Sequence, residues 1–257
     1  MKKLLLITLA ILTLTSLVYS QNSPAKKNGW ETDNLRGKVK SYTQSSYDSA
    51  ERFGEIQEIQ KIDGSLSIKE TYKYNAKGNL IERNSYNADG SLYNKETYKY
   101  DAKGNRFEAN VFPSEGNGLP YKETYKYDAK GNLIQITSLL DSYYLLKYDA
   151  KGNLIEQTAY SDEGGPVYIF TYKYDDNGNT IEDNNYDPDG SLISKITFEY
   201  DDKGNYIERN SYDTEGSFWE KETFKYEFDE KGNWVKRITF KNQIPESIEE
   251  REFEYYE

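Results

Sequence analysis

The side chains available for acid–base chemistry in this chain are carboxylates, lysines, serines and tyrosines, because the sequence contains no histidine and no cysteine. Their absence removes the commonest general base, disulfides and thiolate metal sites. Paired carboxylates about 5 to 10 Å apart can hydrolyse glycosides. Glutamates do recur on one face of the predicted strands, at Glu70, Glu96, Glu123 and Glu222. An active site is normally singular, whereas these glutamates repeat in register. We therefore interpret them as a charge ladder, and expect no catalytic residue and no enzyme activity.

Aromatic side chains offer a second kind of chemistry, because the chain has 26 tyrosines, 10 phenylalanines and 3 tryptophans. Rows of rings on a sheet can stack against sugar rings, or they can pair across strands and hold the sheet together. We interpret the tyrosines that repeat in register as structural, and the aromatic residues that depart from the repeat as ligand candidates. The predicted binding residues are Trp219, Trp234, Tyr143 and Tyr144.

Acidic turns are the third candidate, since oxygen ligands attract calcium. The segments 175–179 and 187–190 are the most acidic of these turns. Counted from Asp175, the glycine is at position four and the twelfth residue is Tyr186, which does not fit a calcium loop. Side chains that stabilise turns by bonding to the backbone explain these aspartates without a metal. We expect no metal and no cofactor.

Two series of glycine turns divide the chain into repeats of 21 to 28 residues. The first series follows Lys or Asn and precedes Asn, and its glycines are Gly78, Gly104, Gly131, Gly152, Gly178, Gly204 and Gly232. The second series is mostly acidic, and its glycines are Gly64, Gly90, Gly116, Gly164, Gly190 and Gly216. Two turns and two intervening runs per repeat predict one β-hairpin per repeat.

The runs between the turns alternate with a period of two residues, as strands do. From Leu66 to Tyr74 one face carries apolar residues, Glu70 and tyrosines, while the other carries lysine, serine and threonine. The second run of each repeat is less regular, because Ile81 and Tyr86 are five residues apart and would lie on opposite faces of an ideal strand. Either a bulge restores the alternation, or both faces are partly covered.

The chain ends differ from the repeats. Residues 1–20 combine Lys2 and Lys3 with a short apolar run and predict a signal peptide, so we expect an exported, periplasmic or extracellular protein. Residues 21–33 are polar and predict a flexible leader. Residues 34–65 predict a degenerate N-terminal capping repeat, and residues 66–257 predict hairpin repeats. The net charge of −11 disfavours nucleic acid, and no segment of the mature chain predicts membrane insertion.

The run Tyr98 to Asn105 (YKYDAKGN) resembles the YD repeat, also called the Rhs repeat, as do the segments 125–132 and 172–179. The resemblance covers roughly residues 66 to 240. It implies a long β-sheet that spirals into a hollow shell in the larger members, and a loose association with carbohydrate binding. No self-cleavage region or toxin domain is recognisable after the repeats.

These patterns together predict an all-β fold, an extended antiparallel meander of hairpins that is twisted or curled into an open shell. Fourteen to sixteen strands about 4.8 Å apart would form a ribbon roughly 70 Å across, which we expect to be too short for a closed cage. The function expected is a non-catalytic exported protein that presents tyrosine-rich sheet to a glycan or an envelope partner. The alternatives are a structural or adaptor protein that binds another protein at its sheet edge, and a shortened relative of an Rhs toxin shell. The oligomeric state stays open.

Overall fold

A computed structural model describes residues 28–52, 55–58, 68–138 and 142–257. The predicted signal peptide and residues 21–27 of the predicted leader lie outside these ranges. The described residues form one short helix and seventeen strands. They are α1 (Gly29–Thr32), β1 (Val39–Arg52), β2 (Glu55–Glu58), β3 (Ile68–Tyr74), β4 (Leu80–Tyr86), β5 (Leu92–Tyr100), β6 (Arg106–Pro113), β7 (Tyr121–Tyr127), β8 (Leu133–Thr137), β9 (Tyr143–Tyr148), β10 (Leu154–Tyr160), β11 (Pro166–Tyr174), β12 (Thr180–Tyr186), β13 (Leu192–Tyr200), β14 (Tyr206–Tyr212), β15 (Phe218–Phe228), β16 (Trp234–Lys241) and β17 (Ile244–Tyr255).

Each repeat is a β-hairpin, as the sequence predicts. In the turn between β5 and β6 the Asp101 carboxylate accepts hydrogen bonds from the backbone N–H groups of Lys103 and Asn105. Gly104 has a φ of +85°, a conformation that costs a glycine little. The Asp-x-x-Gly-Asn pattern therefore specifies this turn through its side chain and its glycine, which explains the acidic residue without a metal.

A bulge in each hairpin restores the alternation of side chains. Lys73 lies opposite Glu82 while Tyr74 lies opposite Leu80, so Ile81 is an extra residue in β4. A second shift occurs where Tyr86 pairs with Leu92 of β5. The bulge leaves Ile81 on the outer face, where its side chain is 38% exposed. The first of the two explanations left open by the sequence is therefore the correct one.

The sheet closes into an antiparallel barrel, so the expected open shell is wrong. β1 pairs with β3 on one side and with β17, the last strand, on the other. Sixteen strands form the barrel, and β2 pairs only with the far end of β1. Tyr42 of β1 lies across the join, with ring centroids 4.4 Å from Tyr72 and 5.3 Å from Phe253.

Closure is favourable because it pairs the two edge strands, whose backbone N–H and C=O groups would be unpaired in an open sheet. The open-shell expectation treated the segment 34–65 as a cap for the first edge alone, whereas β1 satisfies both terminal strands of the meander. In the described barrel every strand therefore has two neighbours. The last strand is not a free edge of the meander, because β17 pairs with β1 from Ser247 to Tyr255 and with β16 from Ile244 to Glu250.

The tyrosine-rich face points into the barrel and the lysine face points outward. On the outer face, the Glu82 carboxylate forms ion pairs with Lys73 at 2.9 Å and Lys95 at 2.8 Å. The hydrogen bonds from Lys95, Asn84 and Lys73 lower the pKa of Glu82 to about 2. The same outward arrangement recurs in other repeats, at Lys99, Glu108 and Lys122 and at Lys173, Glu182 and Lys195.

Residues 28–33, which the sequence assigned to a flexible leader, adopt a defined structure. The side chain of Asn28 accepts a hydrogen bond from the backbone of Glu31, whose own carboxylate accepts one from the backbone of Asn28. This capping box begins α1. Within the described part of the chain, no helix has the length and apolar character needed to cross a membrane.

Candidate functional site

The barrel interior is filled on one side and hollow on the other. Tyrosines and aliphatic residues from β1 and β3 to β11 form the buried core. Between β11 and β17 the inward side chains surround a cavity of about 1000 Å³. This volume lies at the upper end of the range for small-molecule sites. The lining residues on which the site depends are Asn185, Ser194, Phe198, Tyr206, Arg209, Glu222, Phe224, Arg237 and Glu249.

Three aromatic rings form an apolar wall of the cavity. The ring of Tyr206 meets Phe224 edge to face, with centroids 4.8 Å apart and an interplanar angle of 83°. Phe198 makes a similar contact with Tyr206 at 6.5 Å. Edge-to-face pairing holds neighbouring rings at different orientations, so faces and edges are both available to a ligand.

Two arginine–glutamate pairs lie beside these rings. Arg209 contacts Glu222 at 2.7 Å, and Arg237 contacts both Glu249 and the hydroxyl of Tyr206. Burial alone would lower the pKa of Arg237, but Tyr206 and Glu249 raise it on balance, so the guanidinium stays charged. Charge-assisted contacts of this kind are stronger than neutral hydrogen bonds, and the cavity therefore presents held polar groups next to aromatic surface.

At the end of the barrel that carries the Gly-Asn turns, tyrosine hydroxyls link neighbouring hairpins by hydrogen bonds. The second tyrosine of the YD motif donates a hydrogen bond to a backbone carbonyl about 20 residues earlier. For example, Tyr174 donates to Leu154 at 2.7 Å and Tyr200 donates to Thr180 at 2.8 Å. Bonds of the same kind join Tyr100 to Leu80, Tyr127 to Arg106 and Tyr226 to Tyr206. Tyr256, outside the repeats, donates to the carbonyl of Tyr74 across the join between the first and last strands.

Residues 28–37, here called the N-terminal strap, cross the same end. The backbone N–H of Trp30 donates to Gly78, and its indole donates to the carbonyl of Val39 at 2.6 Å. On the other side of β1, at the turn between β15 and β16, the Arg36 backbone exchanges hydrogen bonds with the side chain of Asn233 at 2.6 and 2.8 Å. The strap therefore joins the turn at Gly78 to the turn at Gly232.

Asp33 of the strap points into the barrel, where it accepts a hydrogen bond from Tyr74. Burial raises the pKa of Asp33, and the bond from Tyr74 and the charge of Arg251 oppose that rise. The strap is thus anchored to the interior as well as to the rim.

Small polar residues line the opposite end of the cavity. Ser46, Ser194 and Ser247 belong to three different strands and all face the cavity near the acidic turns. Along β13 the inward residues change from Ser194 at this end to Tyr200 at the end with the Gly-Asn turns. The cavity is therefore lined by small side chains at the end beside the acidic turns, here called its mouth, and by large rings at the end beside the Gly-Asn turns.

The four repeated glutamates lie inside the barrel and contact its own side chains. Glu70 pairs with Arg83, and Glu222 pairs with Arg209. Glu96 and Glu123 accept hydrogen bonds from Tyr98 and Tyr125. Burial raises the pKa of Glu123. Burial also acts to raise the pKa of Glu70, but Arg83 and nearby hydroxyls lower it on balance. These contacts fit the predicted charge ladder.

The structure does not bring the four predicted binding residues together. Trp219 is 71% exposed near the acidic turns, and Tyr143 stacks on Tyr160 at 4.8 Å on the outer face. Tyr144 is 6% exposed in the core. Trp234 faces the interior, with the Arg251 guanidinium 3.6 Å from its ring centroid. Their role in binding stays a prediction, and Trp234 lies beside one lining residue of the cavity, Arg237, whose guanidinium is 5.2 Å from its ring centroid.

Sequence reasoning missed the inward arginines, of which Arg209 and Arg237 line the cavity. Arg83, Arg209 and Arg237 occupy one repeat position, five residues after the glycine of the Gly-Asn turn. The other copies have Ala109, Ile136, Gln157 and Asp183 there. Comparing the copies at this position would have identified the charged part of the interior. Among the described residues, no three acidic, histidine or cysteine side chains lie close enough together to hold a metal.

No protein-family model matches the chain, and no curated protein matches it by sequence, so the YD-repeat resemblance stays a prediction. Among solved structures, a porin-like protein from Bacteroides uniformis has a similar fold, with 14% identity and a TM-score of 0.53 over 84% of this chain and 96% of that one. A porin-like protein from Bacteroides vulgatus has 14% identity and a TM-score of 0.38 over 85% and 98%. The TcdB2-TccC3 structure has 17% identity and a TM-score of 0.34 over 70% and 10%. The first of these likenesses supports the antiparallel barrel fold.

Proposed function

We propose that this protein is an exported, non-catalytic β-barrel of the cell envelope that binds a carbohydrate in its interior cavity. The observation that carries the proposal is the combination of Tyr206, Phe198 and Phe224 with two arginine–glutamate pairs around about 1000 Å³ of space. The expected ligand class is the one that the sequence suggested, whereas the site is inside the barrel and not on an open tyrosine-rich sheet.

A saccharide fits this surface because each sugar ring has an apolar C–H face and a rim of hydroxyl groups. The ring faces of Phe198 and Phe224 can pack against the C–H face. The carboxylates and guanidiniums of the cavity can accept from and donate to the hydroxyls at the rim. A few placed polar groups in a mostly apolar wall are typical of small-molecule sites.

The outer face supports an aqueous location for the barrel. A membrane-spanning barrel carries an outward apolar band about 25 Å tall. Here the middle of the outer face carries ion pairs such as Lys73 with Glu82 and Lys173 with Glu182. Charged side chains at mid-bilayer depth are costly, which supports the proposal of a periplasmic or extracellular location.

The absence of catalysis is part of the proposal. Glu222 and Glu249 line the cavity, and each is bound to an arginine. Both carboxylates therefore already serve as ion-pair partners in the barrel wall. A saccharide incubated with the protein is expected to be recovered unchanged.

A partner on the outer surface is the second candidate, favoured by the exposed neighbours Phe218 and Trp219. They are 57% and 71% exposed. Large exposed aromatic groups mark interaction surfaces more often than isolated small apolar residues do. The substitution Trp219→Ala separates this candidate from binding in the cavity.

The test is a calorimetric titration of the protein, expressed as the full chain, with malto-, cello- and chito-oligosaccharides. Ser194→Phe places a ring in the mouth of the cavity, and Thr197→Phe adds the same ring to the outer face of the same strand. We expect saturable binding of at least one series, weakened about tenfold or more by Ser194→Phe and unchanged by Thr197→Phe and Trp219→Ala. Absence of binding by every series, or loss of binding in Trp219→Ala alone, would contradict the proposal.

A further inference from the structure

We infer that the N-terminal strap is a latch for the join between β1 and β17. When the strap is bound the barrel is closed, and when the strap is released this join opens while the hairpins stay folded. The latch works without a ligand, so it is independent of the proposed function. Three features of the barrel support this role, namely its chain connections, the contacts of the strap and an altered turn at Asn233.

The join between β1 and β17 differs from the other joins of the barrel in its chain connection. From β3 to β17, strands that pair with each other follow one another along the chain and are connected by turns. β1 and β17 pair over Val39 to Asp48 and Ser247 to Tyr255, although almost the whole chain separates them. Bringing distant segments together costs more chain entropy than closing a short turn. This join therefore depends most on an additional tie.

The strap supplies that tie at the end of the barrel with the Gly-Asn turns. The indole of Trp30 donates to the carbonyl of Val39, the first residue of β1, at 2.6 Å. The same ring meets Tyr256, which follows β17, edge to face with centroids 6.5 Å apart. The backbone N–H of Tyr256 donates to the carbonyl of Lys38 at 2.8 Å. One residue of the strap thus contacts both sides of the join.

The turn at Asn233 holds the strap through a side chain that serves the turn itself in other copies. In the turns between β5 and β14 the asparagine amide donates to the aspartate of its own turn, as Asn105 does to Asp101 at 3.0 Å. The amide of Asn233 instead donates to the carbonyl of Arg36 in the strap and to the hydroxyl of Tyr255 in β17. The Asn233 side chain is only 2% exposed. This turn is therefore adapted to hold the strap and the last strand together.

Opening of the join also opens the cavity, because the cavity wall includes both strands. Ser46 of β1 and Ser247 and Glu249 of β17 line the cavity, and Ser46 lies opposite Glu249 in the ladder. The strap contacts β1 at its first residue, Val39, whereas Ser46 lies toward the mouth. Release of the strap at one end of the barrel therefore exposes cavity residues nearer the other end.

Hydrogen exchange of the full chain, followed by mass spectrometry, tests the latch. Asn233→Ala removes the amide that holds Arg36 and Tyr255. Asn105→Ala, the matched control, removes the equivalent amide from the open turn at Gly104. We expect Asn233→Ala to speed exchange about tenfold or more in peptides that cover β1 and β17, and to leave the hairpin of β13 and β14 unchanged. Asn105→Ala is expected to leave the join unchanged.

Trp30→Ala is the second variant, because it removes the contacts to Val39 and Tyr256 without altering a turn. Circular dichroism establishes whether each variant keeps its β structure before exchange is measured. Faster exchange confined to β1 and β17 in either variant supports the latch. Native exchange at the join in both variants, or exchange that rises equally in all strands, would overturn it. Loss of β structure in both variants also contradicts the latch, since the hairpins must stay folded when the strap is released.

Discussion

At the scale of single residues, the two tyrosines of the YD motif have different neighbours. The first tyrosine of the motif, such as Tyr98 and Tyr125, lies in the core and donates to a glutamate two residues earlier. The second, such as Tyr174, reaches back to the previous hairpin. The tyrosine content of the chain therefore reflects hydrogen bonds that join repeats as well as ring packing.

Tyr174→Phe is expected to lower the free energy of unfolding by about 0.5 to 1.5 kcal/mol, because it removes one hydrogen bond and leaves the Leu154 carbonyl without that donor. Urea denaturation followed by circular dichroism measures the change. Tyr93→Phe is the matched control, since the Tyr93 side chain is 42% exposed. Equal stability of the Tyr174 variant and the native protein would show that the bond contributes nothing.

The sequence correctly predicted which side chains share a face of the sheet, but it did not predict which of them line the cavity. Within the described residues 68–74, the period of two correctly separated the tyrosine face from the lysine face. The burial of the tyrosine face followed from its composition. The sequence could not show which aromatic residues line the cavity. The cavity also depends on residues such as Ser194 and Ser247, which come from strands distant in the chain.

At the scale of elements, the N-terminal strap and the hairpin turns depend on each other. Gly78 carries a φ of +84° and accepts a bond from Trp30, whereas Gly104 has the same conformation at +85° in open space. A Cβ at Gly78 would lie 2.6 Å from the Trp30 ring, and a Cβ at Gly104 would meet nothing within 4 Å. The same turn conformation therefore forms whether or not the strap packs against it.

Gly104→Ala is expected to cost about 1 to 2 kcal/mol, which is the penalty of the left-handed conformation for a residue with a Cβ. Gly78→Ala pays the same penalty and also displaces Trp30, which adds about 1 to 3 kcal/mol. Chemical denaturation gives both values, and tryptophan fluorescence reports whether the Trp30 ring becomes exposed. If both variants lose equal stability and keep native fluorescence, the strap does not pack on this turn.

The sequence could not predict the strap, because Asn28 to Thr32 reads as polar leader until its partners are known. Its stability comes from contacts with Gly78 and Asn233, which lie far away in the chain. The hairpins, in contrast, depend on turn residues that are local in sequence. The sequence predicted fourteen to sixteen strands, and the described barrel has sixteen.

At the scale of the whole molecule, closure determines what the protein can do. An open shell would offer its tyrosines and both edges to partners, whereas the barrel buries the tyrosines and pairs the edges. Sequence reasoning failed here because closure depends on the pairing of β1 with β17, which are separated by nearly the whole chain, and on sheet twist. The closed interior and the cavity within it both depend on the pairing of β1 with β17.

The distance between β1 and β17 tests this account most directly. Thr43 of β1 lies opposite Glu252 of β17, and the chain has no native cysteine to interfere with labelling. Spin labels on Thr43→Cys and Glu252→Cys are expected to lie within about 20 Å of each other, because opposed residues in a sheet are about 5 Å apart before the label arms are added. Labels on Thr43→Cys and Thr197→Cys, which are not on paired strands, provide the control. A separation approaching roughly 70 Å for the first pair, the width of an open ribbon of sixteen strands, would contradict the closed barrel and the cavity within it.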